Sequence, residues 1–179
     1  MKGILLIAVI LLIRFDSNAS TVTDSIPADQ KDISSVDAII ATVYDVISGP
    51  GGQKRNWDRM KTLFVSDARM MATGKRPTGE FVRRVMSVED YITSSGPFLE
   101  KDGFFEKEIG RKTEQYGNIV HVFSTYESRR TLADDNPFMR GINSFQLWND
   151  GKRWWVVSIL WQSETKEIPI PDKYIDNKN

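Results

Sequence analysis

Residues 141–163 read GINSFQLWNDGKRWWVVSILWQS, and this stretch decides the fold. Asp150-Gly151 suits the positive φ angles of a tight two-strand turn, so Asn149-Asp150-Gly151-Lys152 predicts a hairpin. The flanks, Gly141 to Trp148 and Arg153 to Ser163, are rich in β-branched and aromatic residues and read as its two strands. Moving outward, Leu132 to Met139 is a loop containing Asp134-Asp135-Asn136-Pro137, and Ile119 to Thr131 is a further strand rich in Val, Phe, Thr and Tyr. Gly117-Asn118 turns the chain, and Phe104 to Tyr116 is a long strand with a charged face. Downstream, Ile168-Pro169-Ile170-Pro171 cannot be a central strand, because proline has no N–H to give to a ladder.

Before residue 104 the period changes. Val36, Ile39, Ile40, Val43 and Ile47 form a helical stripe, with Ser34 or Ser35 as its cap and Gly49-Pro50-Gly51-Gly52 as its stop. A short helix is expected from Trp57 to Val65, a short strand from Ala68 to Thr73 and a turn from Gly74 to Gly79. A third helix starts at Ser87-Val88-Glu89-Asp90 and is expected to break at Gly96-Pro97. Helices first and an antiparallel meander after predict an α+β domain, with the helices on one face of a curved sheet.

The N-terminus differs in kind. Lys2 precedes ten unbroken apolar residues, Ile4 to Ile13, and Ser17-Asn18-Ala19 places small residues before a cut after Ala19. The run is half of the roughly 20 residues a spanning helix needs, so residues 1–19 are expected to be a cleaved export signal rather than an anchor. Residues 20–33 read as a flexible leader, 34–166 as one domain and 167–179 as a tail, in an exported (periplasmic or secreted) protein.

The chain holds 24 Lys and Arg against 24 Asp and Glu. Cleavage removes two cations and one anion and leaves a net charge of −1. This balance argues against a nucleic-acid partner, and it gives no handle for an anionic membrane after cleavage. The absence of cysteine excludes disulfides, a thiol nucleophile and thiolate-bound metal. With one histidine and no compact carboxylate cluster, neither a metal nor another cofactor is expected.

Three stretches carry a family likeness: Val122-Phe123-Ser124-Thr125-Tyr126-Glu127-Ser128, Arg140-Gly141-Ile142-Asn143-Ser144 and Gly151-Lys152-Arg153-Trp154-Trp155-Val156-Val157-Ser158. With the helices before them, residues 35–164 resemble the nuclear transport factor 2-like superfamily, and within it the SnoaL-like bacterial proteins. The resemblance implies a cystatin-like cone: a bent sheet wrapped around a long N-terminal helix, with a cavity at the open end and frequent homodimers through the sheet. Members include ketosteroid isomerase, scytalone dehydratase, polyketide cyclases and binding modules without catalysis, so the site must choose the function.

His121 is the sole histidine and shares a strand face with Phe123, Thr125 and Glu127. It is a candidate acid or base, or a strand histidine satisfied by one hydrogen bond. Glu127, six residues along the strand, is about 20 Å away, too far to orient it. Tyr126 faces the other side with Val122 and Ser124, as a candidate donor to a substrate oxygen or a core aromatic. No aspartate lies inside a predicted strand to partner it. Glu106 and Glu108 read as a solvated strand face. Trp57, Phe64, His121, Tyr126, Gln146 and Trp161 are the candidate ligand-binding residues. Trp148, Trp154, Trp155 and Trp161 are too many for one helix-covered core, which predicts a homodimer through the sheet.

Three functions follow as expectations. The foremost is an exported, non-catalytic SnoaL-like domain whose cavity takes a small apolar or aromatic molecule. The alternatives are an isomerase, dehydratase or cyclase using His121 or Tyr126, and an interaction module using the sheet surface. Export is directly testable: protein recovered from its native host should show an intact mass lacking residues 1–19. A chain still beginning at Met1 overturns that reading.

Overall fold

The computed structural model describes residues 27–175. The expected signal, the first part of the leader and the last four residues of the tail lie outside the described residues.

Asp29 caps helix α1 (Gln30–Ile33), so the end of the expected leader is helical, and Ile33 is buried. Helix α2 (Val36–Ile47) follows, its start capped by Ser35 Oγ accepting from the N–H of Ala38 at 3.0 Å. Its stripe of Ile39, Ile40, Val43 and Ile47 is buried. Helix α3 (Trp57–Lys61) is shorter than its apolar pattern suggests, because Phe64 already belongs to a strand. Arg59 ties these three helices together: its guanidinium grips the buried Asp32 carboxylate at 2.7 and 2.9 Å and also reaches Asp45. The hydrogen bond from Arg59 holds the Asp32 carboxyl below the usual carboxylate range.

Helix α4 (Val88–Asp102) begins with a reciprocal capping box between Ser87 and Asp90 and runs straight through Pro97. The expected break at Gly96-Pro97 is absent. Pro97 is exposed, and so is Thr93, whose carbonyl the missing N–H leaves free to bond water. Gly96 is buried against the Trp57 ring, where a Cβ would lie 3.1 Å from Cζ2.

Six strands form one sheet, β1 (Phe64–Lys75), β2 (Phe81–Met86), β3 (Phe105–Tyr116), β4 (Ile119–Arg129), β5 (Met139–Asn149) and β6 (Trp154–Ser163), in the order β2-β1-β6-β5-β4-β3. Strands β3 to β6 are the antiparallel meander read from the sequence. The rest differs. Strand β1 is longer than expected and joins β6 in parallel, and β2 is a sixth strand on its far edge. The fold is α+β: a curved sheet wrapped around α2.

Alternation assigns the two faces. Val120, Val122, Ser124, Tyr126 and Ser128 of β4 point inward with Asn143, Phe145 and Leu147 of β5, and all are buried. On the outer face the C-terminal segment lies back across the sheet. Thr125 Oγ1 donates to the carbonyl of Tyr174 at 2.6 Å, and the Phe123 and Tyr174 rings meet at 5.4 Å. Gly110 permits this approach, since a Cβ there would sit 2.3 Å from the Tyr174 oxygen.

Among the described residues no helix is long and apolar enough to cross a membrane.

Candidate functional site

Strand β3 enters beside the end of α2, where Gly49 and Phe104 exchange two backbone hydrogen bonds at 2.7 and 3.0 Å. That entry points Glu106 inward, opposite Ser128 of β4. A β-bulge between Glu108 and Gly110 then shifts the register by one residue. The extra residue lets Glu108 and Arg111 face the same side, and they pair through two hydrogen bonds of 2.8 and 2.6 Å. The expectation of a solvated Glu106–Glu108 face is therefore corrected: both carboxylates are drawn into hydrogen bonds on the inner side.

Glu106 takes a hydrogen bond from Ser128 Oγ at 2.8 Å on one oxygen and from Asn143 Nδ2 at 3.4 Å on the other. Asn143 Nδ2 also donates to the Tyr44 hydroxyl at 3.1 Å. Tyr44 in turn meets Ser124 Oγ at 2.6 Å, and Ser124 donates to Glu108 at 2.5 Å. Because Tyr44 accepts from Asn143, its own proton goes to Ser124, and the donor direction is consistent down the chain. Burial pushes the Glu106 carboxyl up to about 7, although the bonds from Ser128 and Asn143 pull the other way. Burial also pushes the Tyr126 hydroxyl up to about 12 and raises that of Tyr91.

Glu106 stands between two cavities. The inner one, about 200 Å³, is walled by Ile47, Met70, Leu99, Phe145, Ile159 and Trp161, with Tyr91, Ser95, Tyr126, Asn143 and Glu106 as its polar residues. Tyr91 and Trp161 meet edge to face at 6.2 Å, and with Ser95 and Met139 they are only half-buried. The outer one, about 630 Å³, brings Asp45, Ser48, Lys107, Glu108 and Arg129 around Glu106, beside the apolar Ala41, Phe105 and Leu132.

Of the residues singled out from sequence, Tyr126 and Trp161 line the inner cavity. Gly141, opposite Tyr126, leaves room for its hydroxyl, which lies 3.4 Å from Ser163 Oγ. Phe64 is core, and Trp57 packs beside the core with its indole N–H on Glu100 at 2.8 Å. Neither Phe64 nor Trp57 lines the cavity. His121 and Gln146 are cross-strand partners on the outer face, where His121 Nε2 contacts Ser144 Oγ at 2.9 Å. Glu127 is spent on Arg129 and Lys107 rather than on His121.

Sequence reasoning missed Glu106, Asn143, Tyr44 and Tyr91. A signal was present: Ser124, Ser128 and Asn143 are polar positions on otherwise apolar inward strand faces, and buried polar groups need partners. Among the described residues no group of three or more His, Asp or Glu is placed to hold a metal.

No family model and no curated protein matches the sequence. Solved structures do. A protein with a cystatin-like fold from Nostoc punctiforme aligns over 73% of this chain and 90% of its own, at TM-score 0.55 and 10% identity. A Kribbella flavida protein aligns over 74% and 90%, at 0.53 and 10%. A candidate Ca/calmodulin-dependent kinase II association domain from Exiguobacterium sibiricum aligns over 73% and 91%, at 0.52 and 13%.

The raised Glu106 titration gives a stability test. The unfolded carboxyl ionises near 4.5 and the folded one near 7. The unfolded state therefore releases its proton first, and stability should fall as pH climbs from about 4.5 to about 7, then level off. Denaturant unfolding at pH 5 and pH 8 should show this slope in the wild type, and Glu106→Gln should flatten it. An equal slope in both proteins would count against a buried carboxyl.

Proposed function

From a chain with the cystatin-like, nuclear transport factor 2-like fold, we propose an exported small-molecule-binding protein. Its ligand is a small apolar or aromatic molecule with one carbonyl or hydroxyl group. The observation that carries this reading is the inner cavity, apolar on most sides, with Glu106, Asn143, Tyr91, Tyr126 and Ser95 as its polar residues. Ligand sites are commonly built this way, with a few convergent polar groups in an apolar concavity. An apolar cavity of about 150 Å³ suffices for benzene, so about 200 Å³ suits a substituted single ring. Below pH 7 the Glu106 carboxyl carries a proton to donate to a carbonyl; above it, the carboxylate accepts from a hydroxyl.

The same value supports a second reading, proton-transfer catalysis of the isomerase or dehydratase kind. A carboxyl poised near neutral pH can take and return a proton, and Tyr126, which lines the same cavity, is the donor this reading gives to the substrate oxygen. In that reading the acid–base role belongs to Glu106 rather than to His121, which sits on the far side of the sheet.

Assembly belongs to the proposal too. Ile119, Trp148 and Val157 leave apolar surface exposed at the hairpin end of the sheet, and one fold relative is a candidate association domain. This half of the outer face is the contact we assign to a homodimer. Light scattering at micromolar concentration should give twice the monomer mass, and a clean monomer removes this part.

The cavity reading is tested with acetophenone and phenol as single-ring probes, titrated by calorimetry. Both should bind saturably. Glu106→Gln and Tyr126→Phe should each weaken binding roughly five- to tenfold, since one hydrogen bond contributes about 1 kcal/mol. His121→Gln should leave binding unchanged. Loss in His121→Gln with retention in Glu106→Gln reverses the assignment. Turnover of a ring ketone that disappears in folded Glu106→Gln would favour catalysis.

A further inference from the structure

We propose that the outer face of the sheet carries a second binding site: a groove beside the C-terminal segment that takes an elongated amphipathic carboxylate. The groove encloses about 530 Å³, within the range of about 300–1,000 Å³ usual for ligand pockets. Phe123, Ile142 and Leu160 give it an apolar floor, and Ile168 to Pro171 of the returning chain form its wall. That wall is fastened, not loosely draped: Ile170 N–H donates to Glu164 at 3.0 Å, Thr125 holds the Tyr174 carbonyl, and Phe123 packs on the Tyr174 ring.

Two polar pairs mark the length of the groove. His121 meets Ser144 at 2.9 Å, and Thr73 meets Gln162 at 3.1 Å. Gln162 pairs with Ile142, and Ile142 with Thr125, so Gln162 and His121 are two strands apart and four residues offset. With strand spacing near 4.8 Å and a rise near 3.4 Å per residue, Gln162 and His121 are about 16 Å apart, with Ser144 between them. An occupant that touches both is long and narrow, with an apolar body over the floor.

Charge decides which end takes the head. Thr73 pairs with Arg83 of β2, so both side chains stand on the same face with Cβ atoms about 5 Å apart. Arg83 is exposed and has no ion-pair partner among the described residues. Among the described residues the Gln162 side-chain nitrogen makes no hydrogen bond, and it stands beside the same position. Lys75 lies two residues further along β1, facing Glu167. At the other end the β3 partner of His121 is Glu114, which repels an anion. Glu164, the groove's own carboxylate, is neutralised by Arg140 at 3.1 Å. The carboxylate head therefore sits by Thr73, Gln162 and Arg83, with the tail running toward Phe123.

The site is separate from the inner cavity, and its test keeps the two apart. Dodecanoate and dodecanol, both below micellar concentration, are titrated into the purified protein by calorimetry. Dodecanoate should bind saturably at one site. Leu160→Asp, which puts a charge on the exposed floor, should weaken it at least tenfold. Arg83→Glu, a surface change with no partner to lose, should weaken dodecanoate about tenfold, the scale of a hydrogen bond to a charged group, and leave dodecanol unchanged. Glu106→Gln should leave dodecanoate binding intact. The proposal is overturned by no saturable binding, by wild-type affinity in both Leu160→Asp and Arg83→Glu, or by loss confined to folded Glu106→Gln. Association with phosphatidylglycerol vesicles without monomer binding overturns it as well.

Discussion

One polar seam in an otherwise apolar interface holds this structure in register. Helix α2 packs on the sheet through Ile39, Ile40, Val43 and Ile47, and such contacts alone tolerate sliding. Tyr44 removes that freedom. Its hydroxyl is buried between Asn143 of β5 and Ser124 of β4, and an unmet hydroxyl there costs on the order of 1–3 kcal/mol. Satisfying it fixes the height of α2 on the sheet. It also fixes the Asn143 amide with its nitrogen toward Glu106, and the Ser124 hydroxyl toward Glu108. The site and the helix position are two ends of one constraint.

The same logic explains what was legible in the sequence. The stripe from Val36 to Ile47 and the Asn149-to-Lys152 turn are local signals, and both elements form where the pattern puts them. Strand β2 was not legible, because Phe81-Val82-Arg83-Arg84-Val85-Met86 buries only Met86 and so lacks an inward-facing alternation. Nor does any local feature announce that β1 runs parallel to β6. Pro97 reads as a stop, yet the helix continues because its lost hydrogen bond falls on the wet side.

The site was legible in part. Alternation sets Tyr126 and His121 on opposite faces of β4, but the strand period does not say which face is inside; the structure turns Tyr126 inward and His121 outward. What the sequence does not show is which way an edge strand turns its charged face. Glu106 and Lys107 look alike as surface charges until β3 docks beside α2 and the bulge after Glu108 sets which side is inside. A carboxyl that is costly to bury is then tolerable because Ser128 and Asn143 wait for it. The fold leaves the chemistry open, and the two faces of one sheet carry two differently shaped cavities.

The parallel pairing of β1 with β6 has a consequence for time rather than energy. Phe64 finds its sheet partner in Val156, about ninety residues later, and strands β3 to β5 assemble from neighbours in between. At a synthesis rate of roughly 5–20 residues per second, β1 waits several seconds or more for the strand it must join. Until then β2 and β1 have only each other, and a lone hairpin is marginal in water. The meander therefore forms the natural nucleus, and the first strand made is among the last to be placed. A sheet built this way leaves β1 without its central partner until β6 has been made.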